Sequence, residues 1–118
     1  MTTIKGFEDL EIWQEGVKLS VRVYELLKDC RDYGLRDQMQ RSAVSVPSNI
    51  SEGFERQTNK EFIQFLYIAK GSCGELRTQL IIASNLKVIE ENVALGLIEE
   101  AKKLSSKIYK LIEYRKKY

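Results

Sequence analysis

Apolar residues recur along this chain at steps of three and four, in four stretches separated by short polar breaks. That spacing is the mark of helices that bury one face. In the first stretch Leu10, Trp13, Val17, Tyr24 and Leu27 form the seam, Ser20 fills the missing position, and Phe7 is placed to staple the entry. Together they predict a helix over about residues 8–31. Asp32-Tyr33-Gly34 then supplies a turn, with Gly34 able to take the left-handed conformation that ends helices. The second stretch puts Leu35, Met39, Ala43, Val46, Ile50 and Phe54 on one face. Thr58, with Glu61 three residues on, opens the third as a capping box in which each side chain satisfies the other's free backbone N–H. Its seam of Phe62, Leu66, Ala69, Cys73, Leu76, Leu80 and Ala83 is an unbroken alternation of four and three. Asn92 is placed to cap the fourth, whose seam is Leu97, Ala101, Leu104, Ile108 and Leu111.

Seams of this period joined by connections of a few residues pack as antiparallel neighbours. The predicted fold is therefore all-α, an antiparallel up-down four-helix bundle forming a single domain over residues 1–118. Apolar residues also lie off the seams, Val23 on the first helix and Ile63, Tyr67, Ile81 and Ile82 on the third. A second surface covered by a partner, and hence self-association, is the expectation they raise.

The longest aliphatic run is Leu80 to Ala83, far short of a membrane span, and the start turns acidic by Glu8 without an apolar signal region. A cytoplasmic protein with no membrane partner is expected. Cys30 and Cys73 form no metal or redox spacing and read as reduced, packed thiols. There is no histidine, which removes the usual general base, the usual activator of a Cys or Ser nucleophile, and the commonest transition-metal ligand. No catalytic residue, metal or cofactor is therefore assigned, and a non-enzymatic role is expected. Charge is lopsided. Lys102, Lys103, Lys107, Lys110, Arg115, Lys116 and Lys117 against Glu113 make residues 102–118 +6, in a chain whose net charge is +2. Those cations read either as complements to a helix C-terminus or as nucleic-acid contacts.

One stretch is unlike ordinary solvated helix. Around SVPSNISEGFER, Gln38, Ser42, Ser45, Asn49, Glu52 and Arg56 fall in one stripe a quarter turn from the apolar face, with Arg41 beside it. Pro47 cannot donate to the Ala43 carbonyl, so a kink is predicted there, with hydroxyls of Ser42, Ser45 or Ser48 bonding the freed carbonyls. Gly53, Gly71 and Gly74 predict close helix packing that brings Ser72 and Glu75 to the stripe. Gln38, Arg41, Ser45, Asn49, Glu52, Ser72 and Glu75 thus form a candidate polar site. It reads as a hydrogen-bond network between helices or subunits, or as a small-ligand pocket around Arg41, Asn49, Glu52 and Glu75.

Three ordered motifs carry a resemblance. Phe7, Asp9, Leu10, Ile12 and Trp13 open it; Gln38, Arg41, Ser42, Ala43, Ser45, Val46, Pro47, Asn49, Ile50, Ser51, Glu52 and Gly53 form its middle; Lys60, Glu61, Phe62, Phe65, Leu66, Ile68, Ala69, Gly71, Ser72, Glu75 and Leu76 close it. The chain resembles the bacterial four-helix bundle proteins encoded in intervening sequences of 23S ribosomal RNA genes. It is similar, through them, to the accessory protein of diversity-generating retroelements. The resemblance implies a barrel-like homopentamer without established enzymatic activity, acting in assembly or scaffolding. It also implies RNA, a ribonucleoprotein or a reverse transcriptase as partner, reached through the basic fourth helix. A protein-interaction module without nucleic acid is the alternative.

Overall fold

The computed structural model describes residues 3–118. A single 3-10 turn, Phe7–Asp9, leads into α1 (Glu11–Leu26), followed by α2 (Tyr33–Phe54), α3 (Asn59–Asn85) and α4 (Glu91–Arg115). Each helix packs on its neighbour in sequence, and α4 returns to α1, which closes the ring of an antiparallel four-helix bundle. No strand occurs among the described residues. No helix there is long and apolar enough to cross a membrane.

The caps follow local chemistry. The Asp32 carboxylate accepts from the Leu35 N–H at 3.1 Å and starts α2, so Gly34 lies in that helix's first turn instead of ending the helix before it. Thr58 Oγ1 accepts from the Glu61 N–H at 3.2 Å; its own hydroxyl donates to Glu61 Oε1 at 3.0 Å, so only half of the expected box is built. Glu90, two residues before Asn92, caps α4 by accepting from Val93 N–H at 3.0 Å. Among the described residues the left-handed one is Lys87, φ 60°, at the end of α3. There Val88 N–H reaches the Ala83 carbonyl at 2.9 Å and Lys87 N–H the Ser84 carbonyl at 3.0 Å, a Schellman closure with Val88 packed on the core.

All seven seam residues of α3 are buried, as are Leu97, Ala101, Leu104 and Ile108 of α4. The first helix departs from expectation. It ends at Leu26, several residues short of 31, with Leu27 fully buried as its cap. Its buried face is Ile12, Gly16, Leu19, Ser20 and Val23, while Tyr24 is 48% exposed. Val23, expected on a second surface, is in the core, and Ile63 packs against it.

This rotation has a cause on α2. That helix continues unbroken from Tyr33 to Phe54 with Pro47 inside it and buried. A side chain at Gly16 would place its Cβ 3.3 Å from the Pro47 ring carbons, so α1 approaches the ring through a glycine. One turn on, Ser20 Oγ lies 2.9 Å from the carbonyls of both Gly16 and Ala43, which share its single proton. The carbonyl freed by Pro47 is thus bonded from α1, not by Ser42, Ser45 or Ser48.

At the other end of α2, a Cβ on Gly53 would sit 2.5 Å from Phe65 Cβ and 3.1 Å from Phe62 Cδ1. The ring of Phe62 stacks edge-on against Phe54 at 5.9 Å, and Phe7 reaches Trp13 at 5.3 Å. This aromatic cluster closes one end of the bundle. Gly53→Ala is therefore expected to lower unfolding free energy by about 1–3 kcal/mol through overpacking. Lys87→Gly is expected to raise it by about 1 kcal/mol by relieving the left-handed residue. Urea unfolding of both variants checks the opposite signs.

Candidate functional site

Where α2 crosses α3, two of the stripe residues, Asn49 and Ser45, form a directed chain with Ser72 of α3. Asn49 Nδ2 donates to Ser45 Oγ at 2.8 Å and to the Ser45 carbonyl at 2.7 Å. Ser72 Oγ donates to the Ile68 carbonyl at 3.1 Å, which leaves Ser45 as the donor in the 2.9 Å contact between the two hydroxyls. Every proton in this set has an acceptor, so the set serves as an interhelix fastening.

The rest of the candidate polar site does not come together in one place. Gln38, Arg41, Ser42, Ser45, Glu75 and Gln79 line a shallow cleft of about 290 Å³ beside that fastening. Arg41 and Glu75 share it without forming an ion pair among the described residues. Glu52 turns the other way, to Arg56 Nη2 at 2.7 Å, and Arg56 stands over the Phe65 ring at 4.8 Å. Arg41, Asn49, Glu52 and Glu75 are therefore not brought to one pocket.

The two glycines of α3 also behave differently from expectation. A Cβ at Gly71 or Gly74 would meet nothing within 4 Å, so neither lets the chain's own helices approach; Gly53 does that. Cys73 lies in the core, and burial pushes its thiol up to about 11, which keeps it protonated and unreactive at neutral pH. Cys30 is a free thiol as well. No group of three metal-ligating side chains occurs among the described residues.

The C-terminal cations do not form one patch. Lys107 turns to α1, bonding Glu11 and, at 2.8 Å, Glu15. Arg115 Nε donates to Asn59 Oδ1 at 2.7 Å and its guanidinium lies over the Phe62 ring, which ties the end of α4 to the start of α3. Lys103 lines a separate cleft with Glu15, Lys18, Arg22 and Glu100, in which Glu100 pairs with Arg22 and Glu15 with Lys107. Lys116 pairs with Glu113 at 3.3 Å and stands 5.5 Å from the Tyr67 ring centre, and Lys117 is exposed.

Lys102 and Lys110 instead face α3. With Tyr109, Ser105 and Ser106 they form one wall of a groove of about 580 Å³, and Lys70 and Arg77 form the other. No carboxylate lines it. The nearest neutralising contact is Glu99, 3.8 Å from Lys102 in an exposed pair. Sequence position hid this convergence, because Lys70 and Arg77 are isolated cations seven residues apart on α3 and only the α3/α4 packing sets them opposite the tail.

Comparison with known proteins places this architecture. Residues 8–110 match the model of a family described as 23S rRNA-intervening sequence protein. Among solved structures, a protein of unknown function from the S23 ribosomal protein family of Bacteroides thetaiotaomicron superimposes with a TM-score of 0.81. It is 19% identical, and the match covers 86% of this chain and 97% of that one, a likeness of fold. No curated protein matches the chain.

The α1/α4 ion cluster has a defined pH response. The hydrogen bond from Lys107 holds the Glu11 carboxyl below its ordinary value, and the bond to Glu11 holds the Lys107 ammonium above its own. The carboxyl's contribution is present above its unfolded value and lost as pH falls through the lower folded one. The ammonium's is present below its unfolded value and lost as pH rises through the higher folded one. The contact is expected to hold between about pH 6 and 9 and to loosen in acid. Amide hydrogen exchange at the start of α1 measures this, and Lys107→Ala should abolish the pH dependence.

Proposed function

The chain belongs to the 23S rRNA-intervening sequence protein family, and we propose that it is a non-enzymatic bundle that assembles with copies of itself and binds RNA through the groove between α3 and α4. The observation that carries this reading is the convergence there of Lys70 and Arg77 with Lys102 and Lys110, without a carboxylate in the lining. Cations gathered by two packed helices focus a positive field, and each phosphate they meet releases condensed counterions. The Lys102–Glu99 pair is exposed and weak enough to yield to a phosphate.

Self-assembly draws support from α3, where Ile68 and Ile82 are exposed and a Cβ on Gly71 would meet nothing within 4 Å. A helix with apolar residues on several sides is one that is covered on several sides. Gly71 in the helix interior costs about 1 kcal/mol relative to alanine, a cost that close approach of another copy offsets. Five copies, the number the resemblance implies, repeat the groove five times and supply the field that a net charge of +2 per chain lacks. A ribonucleoprotein or a reverse transcriptase is then reached through its RNA. The same apolar face favours a second reading, a protein-interaction module without nucleic acid.

Binding of a fluorescent RNA hairpin, followed by anisotropy against salt, separates the two. Four phosphate contacts predict a slope of log affinity on log salt of about −3, and replacing Lys102 and Lys110 together by alanine should roughly halve it. A slope near zero, or no binding at low salt, removes the RNA reading and leaves the protein module. Light scattering on the same sample should give a multiple of the 13.7 kDa chain mass; a monomer removes the assembly half.

A further inference from the structure

The groove offers more than charge, and its layout distinguishes between forms of RNA. Lys70 Nζ stands 5.9 Å from the Tyr109 ring centre, so the start of the α3 wall and the Tyr109–Lys110 end of the α4 wall lie together. Because the two helices run antiparallel, Arg77, seven residues along α3, falls opposite Lys102, eight residues back along α4. At 1.5 Å per residue the Lys70/Lys110 and Arg77/Lys102 ends are about 10–12 Å apart. Between them Gly74 contributes no side chain, and nothing lies within 4 Å of where its Cβ would be. The middle of the groove is therefore open, with cations at both ends.

The rings follow the same track. Tyr109 is 47% exposed, and Lys70 sits near the outer limit of a cation–π contact, so the ring keeps a face for another partner. One turn before Lys70 on α3, Tyr67 is 44% exposed with Lys116 5.5 Å from its centre. A lysine over a tyrosine thus occurs twice along one edge, once with the lysine from α3 and once with Lys116 just past the end of α4. Alternation of cation and exposed ring suits a strand whose bases are free, since every base has a face that stacks on an aromatic ring. A double helix seals its bases inside and offers phosphates and 2′-hydroxyls across a wide, shallow groove, which leaves the tyrosines without a role.

We propose that the α3/α4 groove takes unpaired RNA, with phosphates held at the Lys70/Lys110 and Arg77/Lys102 ends and a base stacked on Tyr109. This rests on the RNA reading above and adds the form of the ligand. Tyr109 is a positioning residue for the base, and the lysines and Arg77 hold the backbone.

The test is anisotropy of the full chain with a labelled 12-nucleotide uridine RNA and with a blunt 12-base-pair RNA duplex at one salt concentration. The single strand should bind at least about tenfold more tightly. Tyr109→Leu should lose about tenfold for the single strand and leave the duplex unchanged, while Tyr109→Phe keeps full affinity. Circular dichroism melts of both variants confirm that the bundle is intact. Equal affinity for the two RNAs with no effect of Tyr109→Leu, or an equal loss for both, overturns the inference and leaves the phosphate groove standing. If neither RNA binds, the groove reading is removed altogether.

Discussion

Pro47 leaves the Ala43 carbonyl without the backbone donor that the next turn of a helix would supply, and the Ser20 hydroxyl of α1 fills that place at 2.9 Å. Around this bond the rest of α1 is arranged. Gly16 lets its backbone approach the proline ring, Val23 one turn beyond Ser20 is driven into the core, and Tyr24 is turned outward. A buried carbonyl left unpaired costs about 1–3 kcal/mol, comparable to burying one aliphatic side chain. That magnitude is enough to decide which face of an amphipathic helix goes inward.

With α1 fastened to one side of α2, the opposite side meets α3 through Asn49, Ser45 and Ser72. Gly53 lets α3 cross closely at the Phe62 and Phe65 end. The long helix α3 is thus held by α2 at two levels, and its far edge is left to α4. The basic groove is a product of that second packing. Lys70 and Arg77 acquire meaning only once α4 sets Lys102 and Lys110 against them.

Much of this was legible from spacing alone, and the misreadings share a cause. The α3 seam was readable because each of its seven positions is apolar or cysteine, and each is buried. The α1 seam was readable only in part: Ser20 and Leu27 stand on it as expected and are buried, but Gly16 is not apolar and its partner Pro47 lies about thirty residues away in sequence. Hydrophobic periodicity registers what a residue is and not what it faces. Charge suffers likewise. Seven tail cations in a row of helix turns look like one patch, yet Lys107 and Arg115 point to different neighbours from Lys102 and Lys110. Lys87 takes the left-handed position with no glycine or asparagine to announce it.

The bond between Ser20 and the Ala43 carbonyl is the claim on which the placement of α1 rests, and a double-mutant cycle between Ser20→Ala and Pro47→Ala tests it by urea unfolding. In the presence of Pro47, Ser20→Ala strands the carbonyl and should cost about 1–3 kcal/mol. With alanine at 47 the backbone N–H returns, and the same change should cost well under 1 kcal/mol. An equal cost in both backgrounds would mean that Ser20 does not answer for the missing donor, and the account of how the first helix is seated would be wrong.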